Sequence, residues 1–149
     1  MSLIDALDRF SNDQAVTAAA ASTSQINLKV AGRDIGNGNP LYLVIKCSVA
    51  MTGTSVTDVV TLRQSAAANM GSPDTLATIC TFPAESAAGT GYVYPIPPSL
   101  VSKQYLDIYH TPTGGAGSLT TGSFTAFVTP EYAVAKNYAD ASDFSLLGA

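Results

Sequence analysis

The chain has 149 residues, 46% of them hydrophobic, only 12% charged, and a net charge of −4. That length and apolar share suit one domain with a real core. The seven Lys and Arg form no basic cluster, which speaks against direct nucleic-acid binding, and no stretch approaches the long uncharged apolar run of a membrane helix. The charged share is about half that of an ordinary soluble domain, so partners are expected to cover part of a surface made of Thr, Ser, Ala, Asn and Gly.

Taken in chain order, residues 1–12 place Leu3, Leu7 and Phe10 at helix-like spacing and read as an N-terminal arm. Asp5 and Asp8 interrupt the apolar residues and there is no basic leader, so a signal peptide is not expected. The expected setting is a cytoplasm, or an assembly built there. Asp5, Asp8 and Asp13 are too loosely spaced for a metal site and read as helix-start charge or a solvated face.

In residues 25–30, Ile26, Leu28 and Val30 alternate with Asn27 and Lys29, the pattern of a half-buried strand. Residues 33–40 (RDIGNGNP) are a turn. No helix follows to receive an anion, so the glycines supply left-handed positions and the proline sets the exit into a strand. Arg33 and Asp34 read as an ion pair at that turn. Residues 41–51 are a near-continuous apolar run, expected as a central strand, and 56–62 is a further strand carrying Asp58.

Residues 64–74 are small and polar and end in a Gly-Ser-Pro-Asp turn. Strands are expected at 75–82 and 92–96, the second closed by Pro97 and Pro98. The stretch 104–110 alternates Leu106 and Ile108 against Tyr105, Asp107 and Tyr109. A Gly-Gly-Ala-Gly connection at 114–117 has no phosphate-loop Lys-Ser/Thr after it and reads as a hairpin. In the last strand, 119–129, Phe124, Ala126 and Val128 share a face. Residues 130–149, with Tyr132, Tyr138, Phe144 and Leu146, read as a C-terminal arm.

About eight short strands with Gly/Pro punctuation predict an all-β, jelly-roll-like two-sheet sandwich over residues 13–129 with an arm at each end. An immunoglobulin-like sandwich is the alternative, but its central Trp is missing.

Chemistry is sparse. Cys47 and Cys80 sit in apolar runs and read as buried, reduced thiols, with a disulfide open if their strands are neighbours. His110, the single histidine, reads as a strand-edge polar residue, since no GxSxG elbow accompanies it. Asp58 and Asp107 read as polar positions on strand surfaces rather than paired carboxylates. No metal motif is present, so no cofactor, metal or catalytic residue is expected, and the chain reads as not an enzyme. Tyr92, Tyr94, Tyr105 and Tyr109 are the only candidates for a sugar site.

Several segments, taken in order, resemble a known family. They are 13–23 (DQAVTAAAAST), 26–28 (INL), 33–43 (RDIGNGNPLYL), 91–97 (GYVYPIP), 105–109 (YLDIY) and 122–128 (GSFTAFV). Together they resemble the capsid cement, or decoration, proteins of tailed phages typified by that of the Bordetella podophage, over roughly Leu3 to Val128. The resemblance implies a jelly roll on the exterior of an icosahedral head. It would be a small homo-oligomer, a dimer ahead of a trimer, that contacts major capsid subunits and clamps the expanded shell, with no nucleic-acid or membrane partner. On that reading Leu3, Leu7, Phe10, Tyr132, Tyr138, Phe144 and Leu146 are the expected shell or subunit contacts, because they lie outside the sandwich pattern. The competing readings are a virion-associated carbohydrate-binding or fibre-base module, a small hydrolase, and a structural subunit of another assembly such as a minor tail protein.

Overall fold

A computed structural model describes residues 9–28, 41–97, 99–113 and 119–130. Nine strands are present in them: β1 (Arg9–Ala15), β2 (Ala20–Ala21), β3 (Ile26–Asn27), β4 (Leu41–Thr52), β5 (Asp58–Ser65), β6 (Asp74–Phe82), β7 (Gly91–Ile96), β8 (Tyr105–Pro112) and β9 (Thr121–Thr129). They form two antiparallel sheets. The first has the order β1-β9-β4-β7, and the second β2-β8-β5-β6, with β3 also paired to β8.

β2 and β3 are two halves of one interrupted strand along β8, which brings nine strands to the eight of a jelly roll. The chain crosses between sheets at almost every step and stays within one only from β2 to β3 and in the β5–β6 pair. First and last strands therefore lie side by side, with Arg9 opposite Phe127 and Ala15 opposite Ser123.

Alternation explains the core. From the first sheet Leu43, Ile45, Cys47, Phe124 and Ala126 point inward, and from the second Val60, Leu62, Leu106 and Ile108 meet them. Aromatic rings fill the centre. Phe82 lies 5.1 Å from Tyr92, edge to face, and 4.9 Å from Phe124; such pairs contribute beyond their buried area. Pro95 sits in β7, an edge strand of the first sheet, where a missing N–H is tolerated.

Two irregularities shape the sheets. β1 bulges between Ser11 and Gln14, where Asp13 takes φ 50° and its N–H donates to Thr125 Oγ1 at 3.0 Å. β4 bulges after Cys47 and turns Val49 out to 49% exposure. The turn before β6 forms where Gly71, Ser72 and Pro73 predict it, with Met70 and Ser72 at positive φ.

Several expectations are corrected. The arm boundary after residue 12 falls inside β1, and Phe10 is a core residue at 0% exposure, because the bulged strand β1 continues the sheet past β9 and carries that ring inward. β5 runs on to Ser65, so Gln64 is not in a loop. It is buried, and its Oε1 accepts from the backbone N–H groups of Ser102 (2.9 Å) and Lys103 (3.1 Å), fastening the β7–β8 connection. Leu3, Leu7, Tyr132, Tyr138, Phe144 and Leu146, together with the Arg33–Asp34 turn and the glycines at 114–117, lie outside the described residues.

Candidate functional site

Register brings the chain's reactive groups together in pairs. Val60 lies opposite His110 and Asp58 opposite Pro112, so Asp58 and His110 are diagonal neighbours on the inward face. His110 Nδ1 is 2.7 Å from Asp58 Oδ2, and both side chains are 0% exposed. The imidazole also lies 4.8 Å from the Phe124 ring. His110 is therefore an interior residue rather than a strand-edge one, and Asp58 is not on a strand surface. Asp58 Oδ1 and His110 Nε2 have no hydrogen-bond partner among the described residues. Neither group meets solvent, so the pair ties two strands within the core.

On the outward face of the second sheet Arg63 stands directly opposite Asp107. Its Nε donates to Oδ1 at 2.9 Å and its Nη2 to Oδ2 at 2.5 Å, a two-pronged bond. The guanidinium also lies 4.2 Å from the centroid of the Tyr109 ring. Asp107 is thus buried beneath its partner instead of being a free surface carboxylate. Lys103 pairs with Asp74 close by, in a more exposed setting.

The two thiols lie in different sheets, Cys47 in β4 and Cys80 in β6, and both are free. Burial, with a contribution from the charge of Asp58, pushes Cys47 up to about 11 and Cys80 up to about 12. Such thiols are poor nucleophiles at neutral pH. Burial likewise raises the phenol of Tyr92.

At one end of the sandwich Met51, Thr52, Gly53, Thr54, Ser55, Glu85 and Thr120 line an open groove of about 760 Å³. Two of its threonine hydroxyls are engaged with each other, Thr52 Oγ1 lying 2.6 Å from Thr120 Oγ1, and Thr52 Oγ1 is also 2.7 Å from Thr121 Oγ1 beside the groove. The four tyrosines of a sugar site do not converge. Tyr92 and Tyr94 pack against the core from the first sheet, whereas Tyr105 and Tyr109 alternate outward from Leu106 and Ile108 on the second. Among the described residues no group of three or more His, Cys, Asp or Glu is placed to hold a metal, and no helix is long and apolar enough to cross a membrane.

With this geometry, comparison with known proteins is decisive at one point: the Bbp16 family model matches residues 10–128. The chain belongs to the Bbp16 family of Bordetella bacteriophage proteins. The matched span begins at Phe10 in β1 and ends at Val128 in β9, so the Bbp16 unit is the jelly roll itself. As a member the chain is a viral structural protein of the virion. No curated protein matches it. A chain in the structure of infectious bursal disease virus, Gx strain, is similar at a TM-score of 0.38 and 14% identity; the match covers 80% of this chain and 30% of that one.

Sequence shows Asp58, Arg63, Asp107 and His110 as strand residues, but only the β5–β8 register sets each acid against its base.

Proposed function

We propose that this protein is a capsid cement protein. It binds the outer surface of the expanded phage head and clamps neighbouring major capsid subunits, without catalysing a reaction. The observation that carries this reading is membership of a bacteriophage structural family across the whole jelly roll. The placement of the polar groups supports it. Asp58 and His110 are spent on each other inside the core, and Arg63 and Asp107 on each other at the sheet surface. A clamp needs only complementary area, repeated at every equivalent position, so that modest binding per copy becomes a large effect across the lattice. Acting as a homo-oligomer, dimer ahead of trimer, one unit contacts several subunits at once. Leu3, Leu7, Tyr132, Tyr138, Phe144 and Leu146 remain the proposed contacts; Phe10 is withdrawn from that set because it is fully buried.

The test uses expanded heads that lack the protein. They are mixed with the purified chain, freed of the unbound fraction and imaged by cryo-electron microscopy. Ordered density at symmetry-related positions on the outside is the expected result and shows the oligomeric state directly. Bare shells beside well-folded protein overturn the proposal.

A further inference from the structure

The two flanks of the sandwich are closed differently. On one, residues 16–19 join β1 directly to β2, and the Ser24 N–H donates to Phe10 O at 2.9 Å. Phe10, Val16, Ile26 and Leu28 are all buried there. The other flank lies between β6 and β7, the remaining edges of the two sheets. At one end the Phe82 ring stands against Tyr92. At the other the β7–β8 connection crosses, fastened to Gln64, whose register partner is Asp74. Between these ends Leu76, Ile79 and Cys80 of β6 and Tyr92 and Tyr94 of β7 pack against the core yet stay partly exposed. Tyr92 and Tyr94 lie opposite Ile45 and Leu43, so both turn to the core side of their sheet. The core therefore has a window on this flank that the strands beside it do not close.

The register of β6 explains the window. Its pairing with β5 slips twice, leaving Leu76 and Ile79 without a residue opposite. Thr75, Thr78 and Thr81, opposite Arg63, Thr61 and Val59, then face outward at every third residue, and the apolar residues between them turn to the window. All three threonines are exposed. The same bulges break the even spacing of the free backbone edge, and Pro95 does so on β7, so neither edge suits an added strand. What the flank offers is side chains: aliphatic groups, two tyrosines and a row of hydroxyls. Aromatic anchors with a polar rim are the composition of a protein interface.

Charge selects a second copy as the occupant. Asp74 is the one charged residue in these two strands, and Lys103 neutralises it. Glu85, on the loop between them, lines the groove at the end of the sandwich instead. A two-fold axis sets a patch against itself, so a net charge would repel its own image, and an uncharged patch meets that condition. Leu76 to Thr81 spans about 17 Å, and the sheets stand about 10 Å apart. With the threonine row and both strand edges this gives ~500 Å² per copy and about 1,000 Å² for two, the lower bound of a stable interface. We propose that the β6–β7 flank, centred on Ile79 and Tyr94, is a two-fold interface between two copies of this chain, each closing the other's window. The inference rests on the homo-oligomer part of the function proposed above and on nothing that concerns the head.

The test is made on the full-length chain, free of heads. Sedimentation velocity over a range of concentrations is expected to show a reversible monomer–dimer equilibrium, which Tyr94→Lys weakens at least about tenfold. Thr78→Lys, at an exposed position on the rim, weakens it too and keeps the test valid where the tyrosine variant fails to fold. Asn12→Lys, exposed on the closed flank, leaves it unchanged. Cys80 is the second readout, because its half-buried thiol lies in the window. Its rate of modification by a thiol reagent falls as wild-type protein is concentrated, and stays constant for Tyr94→Lys. A wild type that remains monomeric overturns both this interface and the homo-oligomer reading, while head binding, measured separately, is untouched. A dimer that survives both lysine variants, with Cys80 equally reactive at every concentration, overturns this flank alone. Trimers or open-ended chains overturn the two-fold arrangement.

Discussion

His110 Nδ1 and Asp58 Oδ2 meet at 2.7 Å with both side chains fully enclosed, beside the ring of Phe124. Breaking a buried pair from one side strands the other group without water or partner, which is costly, whereas replacing both with apolar groups can be close to neutral. Asp58→Ala or His110→Ala alone should therefore cost about 3–5 kcal/mol in urea unfolding. The double variant Asp58→Leu/His110→Phe should cost clearly less than the two single losses added together. Additive losses would show that the two side chains are not coupled.

Phe10 separates two roles that the sequence leaves together. As a core ring, Phe10→Ala should lower stability by about 3–5 kcal/mol. As an arm contact it would leave stability unchanged and weaken only attachment. Denaturant midpoints of the purified variant decide between them; an unchanged midpoint would return Phe10 to the arm.

The Arg63–Asp107 bond depends on the flat, two-pronged guanidinium, which also lies over Tyr109. A lysine keeps the charge but not the fork. Arg63→Lys should cost about 1–2 kcal/mol, and Arg63→Ala more, since Asp107 is then buried without its partner. Equal stability of the lysine variant and the wild type would reduce the bond to an ordinary surface ion pair.

The thiols set an alkaline limit. Cys47 and Cys80 ionise near 9.0 when unfolded but only near 11 and 12 when folded. Above pH 9 the unfolded chain releases these protons first and binds fewer than the native state, so stability falls as pH rises. The contribution is intact below pH 9 and is lost progressively up to about pH 11–12. Each thiol adds up to about 1.4 kcal/mol per pH unit to that slope within its window. Cys80→Ala should flatten the fall in urea midpoint between pH 9 and 10.5, and a thiol reagent at pH 8 should leave the buried Cys47 unmodified until the protein is unfolded, whereas the half-buried Cys80 reacts more slowly than a free thiol. Rapid modification of Cys47 in the native chain would contradict its buried setting.

Local pattern made the architecture legible. The strand at residues 41–51, the turn at 71–74, the strand 75–82 and the alternating 104–110 stretch all lie where apolar periodicity and Gly/Pro punctuation place them, because those signals depend on neighbours a few residues apart. Family membership was legible too, through the order of turn and strand segments. Tertiary structure decided what depends on residues far apart. The β5–β8 register set Asp58 near His110 and Arg63 against Asp107, and a shift of one position would have turned those side chains to opposite faces. The pairing of β1 with β9 drew Phe10 into the core, though its spacing with Leu3 and Leu7 suggested a helix-like arm. Val44 and Phe127 make the same point: alternation predicts that they face outward, but only packing in three dimensions shows that this outward face is covered. Periodicity tells a strand which of its faces differ, and burial of each face is settled by whatever the rest of the chain lays against it.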